Sequence, residues 1–458
     1  MSDRMVRELE EQNVCSNCVG ESYLAEMIKV AKESAVWVCD YCGDRLPTVK
    51  LDWLSERCRG VFDHFYESTA DDDKVVHYDR EPDGDSIEIC LGELLPDAGI
   101  DLVVDLSKLM LYEQGRDDYD SDDPYYIRSK RLNIYFSSNW RRMSESLRTE
   151  ARLCNPIVFQ ILDEMFGPVA YDATADGRPV VVLAGPGTAL SSLHRARVCQ
   201  GMEELRKCIA YPEAELGPHA IGKGRAGRMN ASGVSVFYGA THEAVARAEV
   251  RPPVGSKVLI GQFEITRPLR LLDLNALSRI RTNSSLSLFD ETAVKQIGRR
   301  DFLAQLCEKL VMPVMPQDED SSYLITQAIA DYLAMHEELA IDGIIFSSAQ
   351  APTSISGKNV VLFHKAARVV KADKDLHKSR DASVMEEDES GSYFRPRLWI
   401  EEGKELFPNL GPFEPDQRKP TLNLSLETLT VHTIDAVVIE ATPHPVEIIR
   451  GEMDNFEF

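Results

Sequence analysis

A glycine-rich basic loop and a glutamate that follows it have the residue types needed to act on a charged nucleotide. Lys223, Arg225 and Arg228 stand among glycines in the loop 222–228, and Glu249 ends the next helix-like stretch. Backbone amides beside glycine and the forked guanidinium group suit a pyrophosphate. A carboxylate can stabilise positive charge that develops on a sugar. We therefore predict chemistry on a charged nucleotide, with a solvated basic turn as the alternative.

The same loop matches the letters of a dinucleotide-binding fingerprint, in the order Gly222-Lys223-Gly224-Arg225-Ala226-Gly227. That fingerprint requires a strand before the glycines and a helix after them. Here the β-branched and aromatic run 234–238 follows the loop, and no clear strand enters it. The sequence thus favours an anion-binding loop of another kind over a Rossmann fold.

Several ordered blocks of the sequence resemble the RES domain family, which is named for an arginine, a glutamate and a serine. The blocks are Leu193-His194-Arg195-Ala196-Arg197, Gly227-Arg228-Met229-Asn230, Val236-Phe237-Tyr238, Ala246-Arg247-Ala248-Glu249, Asp342-Gly343-Ile344-Ile345-Phe346-Ser347-Ser348 and Asn359-Val360-Val361-Leu362-Phe363. The resemblance implies a fold similar to ADP-ribosyltransferase toxins. It also implies consumption of NAD+, often by toxins of bacterial toxin–antitoxin pairs.

Five residues match active-site positions of this family, namely Arg195, Arg228, Tyr238, Glu249 and Ser348. The resemblance implies that Glu249 orients the nicotinamide-side ribose and stabilises its charge, while the two arginines hold the pyrophosphate. Tyr238 would stack on nicotinamide or close the pocket, and Ser348 would donate to ribose or carboxamide.

Two positions depart from the family pattern. Met229 replaces a tryptophan, which alters the expected wall of the pocket. Ser347 replaces a proline that often precedes the serine, so either Ser347 or Ser348 can be the working hydroxyl.

The resemblance implies an enzyme that cleaves the nicotinamide–ribose bond of NAD+, as a bacterial toxin or an antiviral defence effector. The enzyme would be a glycohydrolase if water accepts the ADP-ribosyl group, and a phosphorylase if inorganic phosphate accepts it. It would be an ADP-ribosyltransferase if a protein side chain is the acceptor. An interaction protein that only senses the nucleotide is a further alternative. An antitoxin or regulatory protein is expected as a partner, and a homo-oligomer is compatible with the sequence.

Arg59 and His64, separated by four residues in a predicted helix over 51–65, resemble the residue pair of HEPN ribonucleases. Some larger RES proteins carry HEPN-like N-terminal regions. Glycine at position 60 departs from the usual polar residue, and a charged helix face is the favoured interpretation.

Two Cys-x-x-Cys knuckles near the N-terminus predict a metal site. Their cysteines are Cys15, Cys18, Cys39 and Cys42. Four thiolates at this spacing are typical of tetrahedral structural zinc, which leaves no open position for catalysis. A pair of disulfides is disfavoured in a reducing cytoplasm.

Composition limits the other functions of this 458-residue chain. With 75 acidic against 51 basic residues and a net charge of −24, no nucleic-acid partner is expected. No segment approaches the roughly 20 apolar residues that span a bilayer. The N-terminus lacks the apolar core of a signal peptide, so we expect no membrane association and a cytoplasmic location.

The predicted fold class is α+β, with an ADP-ribosyltransferase-like RES core and a mainly helical N-terminal unit that a four-cysteine zinc site stabilises. The predicted domains are a zinc module (1–50), a helical domain (51–170), the RES domain (171–370), a polar linker (371–420) and C-terminal strands that rejoin the sheet (421–458). Within them we predict a helix over 138–166 and a pair of strands over 257–263 and 269–274.

Overall fold

The computed structural model describes residues 3–69, 84–113, 125–128, 134–152, 154–220, 222–281, 287–311, 319–348, 350, 357–370, 380–388, 391–400, 416, 418–438 and 443–445. They form an α+β structure, as the sequence predicts. Two compact units are each discontinuous in sequence. Unit 1 comprises Met1–Val182, Gly227–Ala231 and Arg270–Phe346, and unit 2 comprises Leu183–Ala226, Ser232–Leu269 and Ser347–Phe458.

The helices are numbered in chain order. They are α1 (Asp3–Glu10), α2 (Ser22–Val30), α3 (Leu51–Phe65), α4 (Ile87–Leu94), α5 (Ile100–Glu113), α6 (Ile134–Thr149), α7 (Pro156–Phe166), α8 (Met202–Ala210), α9 (Pro212–Glu215), α10 (Glu243–Glu249), α11 (Leu274–Leu277), α12 (Glu291–Val311) and α13 (Glu319–Met335).

The strands are numbered in the same way. They are β1 (Asn13–Cys15), β2 (Ala35–Val38), β3 (Arg45–Lys50), β4 (Tyr66–Ser68), β5 (Tyr126–Arg128), β6 (Val181–Ala184), β7 (Ser192–Cys199), β8 (Phe237–Ala240), β9 (Lys257–Ile265), β10 (Leu269–Asp273), β11 (Gly343–Ser347), β12 (Lys358–Leu362), β13 (Arg380–Asp388), β14 (Gly391–Ile400) and β15 (Leu422–Thr433).

Helix α3 lies at the centre of the N-terminal core of unit 1. Its apolar residues recur every three or four positions, so they share one face, and Leu54, Cys58 and Phe62 are almost completely buried. Burial of each large apolar side chain of this kind contributes about 1.5–3 kcal/mol. Against the same core lies the small antiparallel sheet β1-β3-β2, which carries the cysteine knuckles.

The single helix predicted over 138–166 is wrong, because α6 ends at Thr149 and α7 begins at Pro156. Asn155 caps α7 by accepting from the amides of Ile157 and Val158, both at 3.1 Å. Pro156 occupies the first turn, where a missing N–H costs nothing. The Asn-Pro pair therefore starts a new helix.

Unit 2 is built on five strands in the order β15-β9-β7-β8-β12, and each of their pairings is antiparallel. In unit 1, β10 pairs in parallel with β11. The predicted pairing of the strands over 257–263 and 269–274 is wrong, because β9 has β7 and β15 as its neighbours and β10 has β11 and β6. Long-range partners take precedence over neighbours in sequence here.

Part of the range predicted as a polar linker is an antiparallel hairpin of β13 and β14. Glu386 on β13 accepts from Arg395 at 2.7 Å and from Arg397 at 2.9 Å. These cross-strand ion pairs explain how a strongly charged segment forms strands. Among the helices of the described residues, none is long and apolar enough to cross a membrane.

Candidate functional site

Helix α10 holds Glu249 at its C-terminal end. Val245 and Ala246 of this helix are buried in an apolar cluster with Ala196, Val258 and Ile260 of the sheet. Buried residues on one face of a short helix fix its orientation, so the position of Glu249 at the end follows from packing inside unit 2.

A second anchor ties α10 to the edge strand β15. His432 Nε2 lies 2.8 Å from Glu243 Oε1, and Arg247 Nη1 lies 3.2 Å from His432 Nδ1. Glu243 and Arg247 occupy positions i and i+4 of the helix, so both side chains point to the same neighbour. The helix that carries Glu249 is therefore held by polar contacts as well as by apolar ones.

The carboxylate of Glu249 is bound on one oxygen. Ser348 Oγ donates to Oε1 at 2.7 Å, and Asn359 Nδ2 donates to the same oxygen at 2.6 Å. Oε2 accepts no hydrogen bond from the described residues, and Glu249 is exposed. A carboxylate at the C-terminal end of a helix meets the unfavourable end of the helix dipole, which these two donors offset.

Ser348 is thus the serine whose hydroxyl contacts Glu249. It also accepts from the backbone amide of Gln350 at 3.2 Å, which fixes the hydroxyl orientation. Asn359 on β12 is 5% exposed. Its part in the site was missed by the sequence analysis, although it opens the last of the RES-like blocks.

Arg195 on β7 is a partly buried arginine with spare hydrogen-bonding capacity. Its guanidinium carbon lies 4.9 Å from the ring centroid of Phe237, and its Nη1 is buried without a hydrogen-bond partner among the described residues. Burial lowers the pKa of Arg195 to about 10, so the group is charged at neutral pH. A buried charged donor without a partner is costly and suits an anionic ligand.

His219 lies beside a concentration of positive charge in unit 2. Burial lowers the pKa of His219, and the charges of Arg195, Arg197 and Arg225 lower it further. Arg197 itself is satisfied, since it forms ion pairs with Glu204 and Glu215. Arg195 differs from Arg197 in this respect, because its Nη1 is buried without a hydrogen-bond partner among the described residues.

Tyr238 is on β8, paired in register with Val361 of β12. The side chain is half-buried, and its proximity to Arg195 raises the pKa of that guanidinium, against the larger effect of burial. The sheet thus places Tyr238 and Arg195 in one electrostatic environment within unit 2.

Arg228 belongs to unit 1, where two helices hold it. Its guanidinium donates to the carbonyl of Leu310 on α12 and lies 5.8 Å from the ring centroid of Tyr323 on α13. Thr326 donates to the carbonyl of Arg228. The next residue, Met229, is 2% exposed, so the residue that replaces the family's tryptophan is buried.

The start of the glycine-rich loop is hydrogen-bonded to the segment just before β8. The amide of Gly233 donates to the carbonyl of Gly224 at 2.8 Å, and Gly222 and Gly233 have φ values of 81° and 88°. A Cβ at Gly224 would lie 2.5 Å from the carbonyl oxygen of Val234, so only glycine fits there. The next element after the loop is the strand β8 rather than a helix, in agreement with the interpretation that the loop is not a Rossmann motif.

The four knuckle cysteines form one cluster in unit 1. Their sulfur atoms all lie within 4.8 Å of one another, with Cys15 to Cys42 at 3.7 Å and Cys18 to Cys39 at 3.9 Å. Thiolates around a tetrahedral ion with bonds of about 2.3 Å would lie roughly 3.8 Å apart. The cluster can therefore hold a metal ion, as its spacing predicts.

Glycine shapes the first knuckle. Gly20 has a φ of 69°, and a Cβ there would lie 2.0 Å from the backbone nitrogen of Ala98. Only glycine allows both this turn and the close approach of the neighbouring loop.

Residues 197–383 match the family model described as RES domain, so the chain carries a RES domain. This confirms the family that the ordered blocks predict. The matched range contains Arg228, Tyr238, Glu249 and Ser348, and it begins just after Arg195. No curated protein and no solved structure gives a significant match to this chain.

Proposed function

We propose that this protein cleaves the nicotinamide–ribose bond of NAD+ and that Glu249 is its catalytic carboxylate. The observation that supports this most is the pair of bonds from Ser348 and Asn359 to Oε1 of Glu249. Because both bonds fall on one oxygen, Oε2 is available to accept from a ribose hydroxyl. RES domains are generally linked to NAD+-utilising, toxin-like proteins, which supports the choice of nucleotide.

The reaction requires charge stabilisation more than proton transfer. Nicotinamide leaves with the bonding electron pair, which neutralises its ring, and positive charge develops on the ribose carbon. An oriented carboxylate beside that carbon stabilises this charge more in the transition state than in the ground state. Addition of water to the carbon and loss of a proton give ADP-ribose, whereas addition of phosphate gives its 1-phosphate ester.

Arg195 is the proposed partner of the pyrophosphate. Its buried Nη1 has no partner among the described residues, and a phosphate oxygen would satisfy it. The positive charges of the arginines beside His219 also favour binding of the negatively charged pyrophosphate. Tyr238 on the neighbouring strand is proposed to contact the nicotinamide ring. Arg228 as a second pyrophosphate ligand stays a prediction from the family resemblance.

The cysteine cluster is proposed to bind zinc in a structural role. Sulfur ligands select zinc over calcium or magnesium, and four of them leave no position for substrate. The ion would fix the two knuckles to each other and so stabilise the N-terminal sheet of unit 1.

The cellular role proposed here is that of a toxin or antiviral defence effector with an ADP-ribosyltransferase-like catalytic core. Loss of NAD+ would harm the cell that makes the enzyme, so an antitoxin or regulatory partner is part of the proposal. A protein ADP-ribosyltransferase remains the second candidate, since the same carboxylate can serve transfer to a protein side chain.

Product analysis tests the proposal. The purified full-length protein is incubated with NAD+, with and without inorganic phosphate, and the products are identified by mass spectrometry. Free ADP-ribose identifies a glycohydrolase, the 1-phosphate a phosphorylase, and a mass increase of a protein an ADP-ribosyltransferase. Absence of nicotinamide release under all conditions contradicts the proposal and favours a protein that only senses the nucleotide.

A matched variant tests the ribonuclease interpretation of the N-terminal pair. If His64→Ala abolished cellular toxicity while NAD+ cleavage in vitro stayed at the wild-type rate, the HEPN interpretation would replace NAD+ loss as the cause of toxicity.

A further inference from the structure

Unit 1 contains a cavity of about 420 Å³ that is separate from every residue assigned above to NAD+ or zinc. It lies where α2 and α3 meet the segment that leads into α12. Its walls include the side chains of Met27, Val61, Leu288, Phe289 and Val294. All five are only partly buried although they pack against the apolar core. A concave site with apolar walls of this size accepts a small organic molecule.

Cationic groups predominate among the polar residues of the cavity. Arg57 and Lys295 lie at its lining together with a single carboxylate, that of Glu291, and His64 adds a ring nitrogen. Within the described residues, neither Arg57 nor Lys295 forms an ion pair. These two cationic groups without ion pairs favour a ligand with a negative group.

Arg57 is already oriented. Its guanidinium carbon lies 3.4 Å from the ring centroid of Trp53, and its Nη1 donates to the Trp53 carbonyl at 3.0 Å. Burial lowers the pKa of Arg57, although the carboxylates of Glu56 and Glu33 oppose this shift, so the charged guanidinium is partly removed from water here. The stacking on Trp53 and the one hydrogen bond leave the other N–H groups of the guanidinium available to bind a carboxylate.

Gly60 keeps the cavity open from the side of α3. Glycine inside a helix is destabilising relative to alanine, and Gly60 has no positive φ that would require it. A Cβ at this position would meet no atom within 4 Å, and the residue lines the cavity. Gly60 is exposed, so a side chain larger than that of alanine at this position would occupy space at the mouth of the cavity.

We propose that this cavity binds a small organic anion with an apolar body, of the aryl- or acyl-carboxylate class. The apolar walls receive the body, and Arg57, with Lys295, binds the carboxylate. This site is independent of NAD+ cleavage, since it contains none of the residues proposed for that reaction.

Calorimetric titration of the full-length protein tests the proposal with two matched probes. They are 1-naphthaleneacetate and its uncharged amide, which share the same ring system. We expect the acid to bind at least about tenfold more tightly, the factor expected of one charge-assisted hydrogen bond. Equal affinities would contradict an anion site, and absence of binding by both probes would contradict a ligand site.

Variants locate the binding. Gly60→Leu fills the cavity and should weaken binding of the acid at least tenfold, while Gly60→Ala, as control, should bind within a factor of about three of the wild type. If thermal unfolding shows that Gly60→Leu does not fold, Val61→Trp serves as a second variant that fills the same space. Arg57→Gln should remove the preference for the acid over the amide. Unchanged binding in the filled variants would place the probe elsewhere and overturn the assignment.

Discussion

The side-chain amide of Asn359 donates to Oε1 of Glu249 at 2.6 Å, and Asn359 is 5% exposed. The contact joins a residue on β12 to the last residue of α10, which are 110 positions apart. A buried amide on a paired strand has little freedom, so it limits the orientations that the exposed carboxylate of Glu249 can adopt. We infer that Asn359 is a positioning residue, because it acts through Glu249.

The first prediction concerns this contact. Asn359→Asp replaces the donor with a second carboxylate within hydrogen-bonding distance of Glu249, and two such groups share a proton, which raises the apparent pKa of the pair. We expect the cleavage rate at pH 7 to fall at least about tenfold and the acidic limb of the profile of kcat/KM against pH to move up by at least about one unit. Initial rates from pH 5 to 9 measure both.

Gln160→Glu is the control, since it converts an exposed amide to an acid on α7 of unit 1. Its profile should match that of the wild type. An unshifted acidic limb in Asn359→Asp, with protein that melts normally, would show that this amide does not orient the reacting carboxylate.

The second prediction concerns the stability of Arg195→Met. Burial lowers the pKa of Arg195 from its ordinary value to about 10, so folding disfavours the charged form. The cost of the buried charge to stability is fully present below about pH 10 and is relieved as the pH rises through that value. An unsatisfied buried donor costs about 1–3 kcal/mol. Because methionine retains the contact with Phe237, we expect the free energy of unfolding at pH 7 to rise by about 1 kcal/mol in urea titrations.

NAD+ should stabilise the wild type but not the Arg195→Met variant. It should raise the melting temperature of the wild type and leave that of Arg195→Met unchanged, because the phosphate partner of Nη1 is lost. A variant that is several kcal/mol less stable without NAD+, and still responds to NAD+, would show that Arg195 serves the fold.

The third prediction concerns the metal. We expect about one zinc ion per chain by elemental mass spectrometry, and loss of the ion in Cys39→Ser. Structural zinc contributes about 10 kcal/mol or more in small zinc domains, so residues 3–50 should unfold without it. Cys154→Ser, an exposed cysteine outside the cluster, should retain the ion. Full thermal stability after chelation would contradict a structural site.

Local sequence pattern was sufficient for several elements. The spacing of apolar residues predicts the helix over 51–65, and α3 has these bounds. The two Cys-x-x-Cys knuckles predict the sulfur cluster because four thiols at such spacing converge on one point. In contrast, strand partners depend on contacts far apart in sequence, which explains why β9 and β10 were paired wrongly. The signal that divides α6 from α7 was present in Asn155-Pro156 and was not used.

The candidate site was also only partly predictable from the sequence. Glu249 and Ser348 could be named from the family resemblance, and their contact at 2.7 Å agrees with a shared site. Asn359 could not be named, because a buried asparagine has no sequence pattern that distinguishes it from a polar residue in a strand. Its meaning depends on the packing of α10 against the sheet, which only the folded chain reveals.

The most direct test of the central proposal is the rate of nicotinamide release by Glu249→Gln. Glutamine retains the shape of the side chain and an oxygen for Ser348 and Asn359, but it removes the negative charge. We expect release to fall about 10²- to 10³-fold, the range found when one transition-state contact is removed, with unchanged melting temperature. Glu203→Gln, an exposed glutamate of unit 2, should keep the wild-type rate. If Glu249→Gln released nicotinamide as fast as the wild type, Glu249 would not be the catalytic carboxylate.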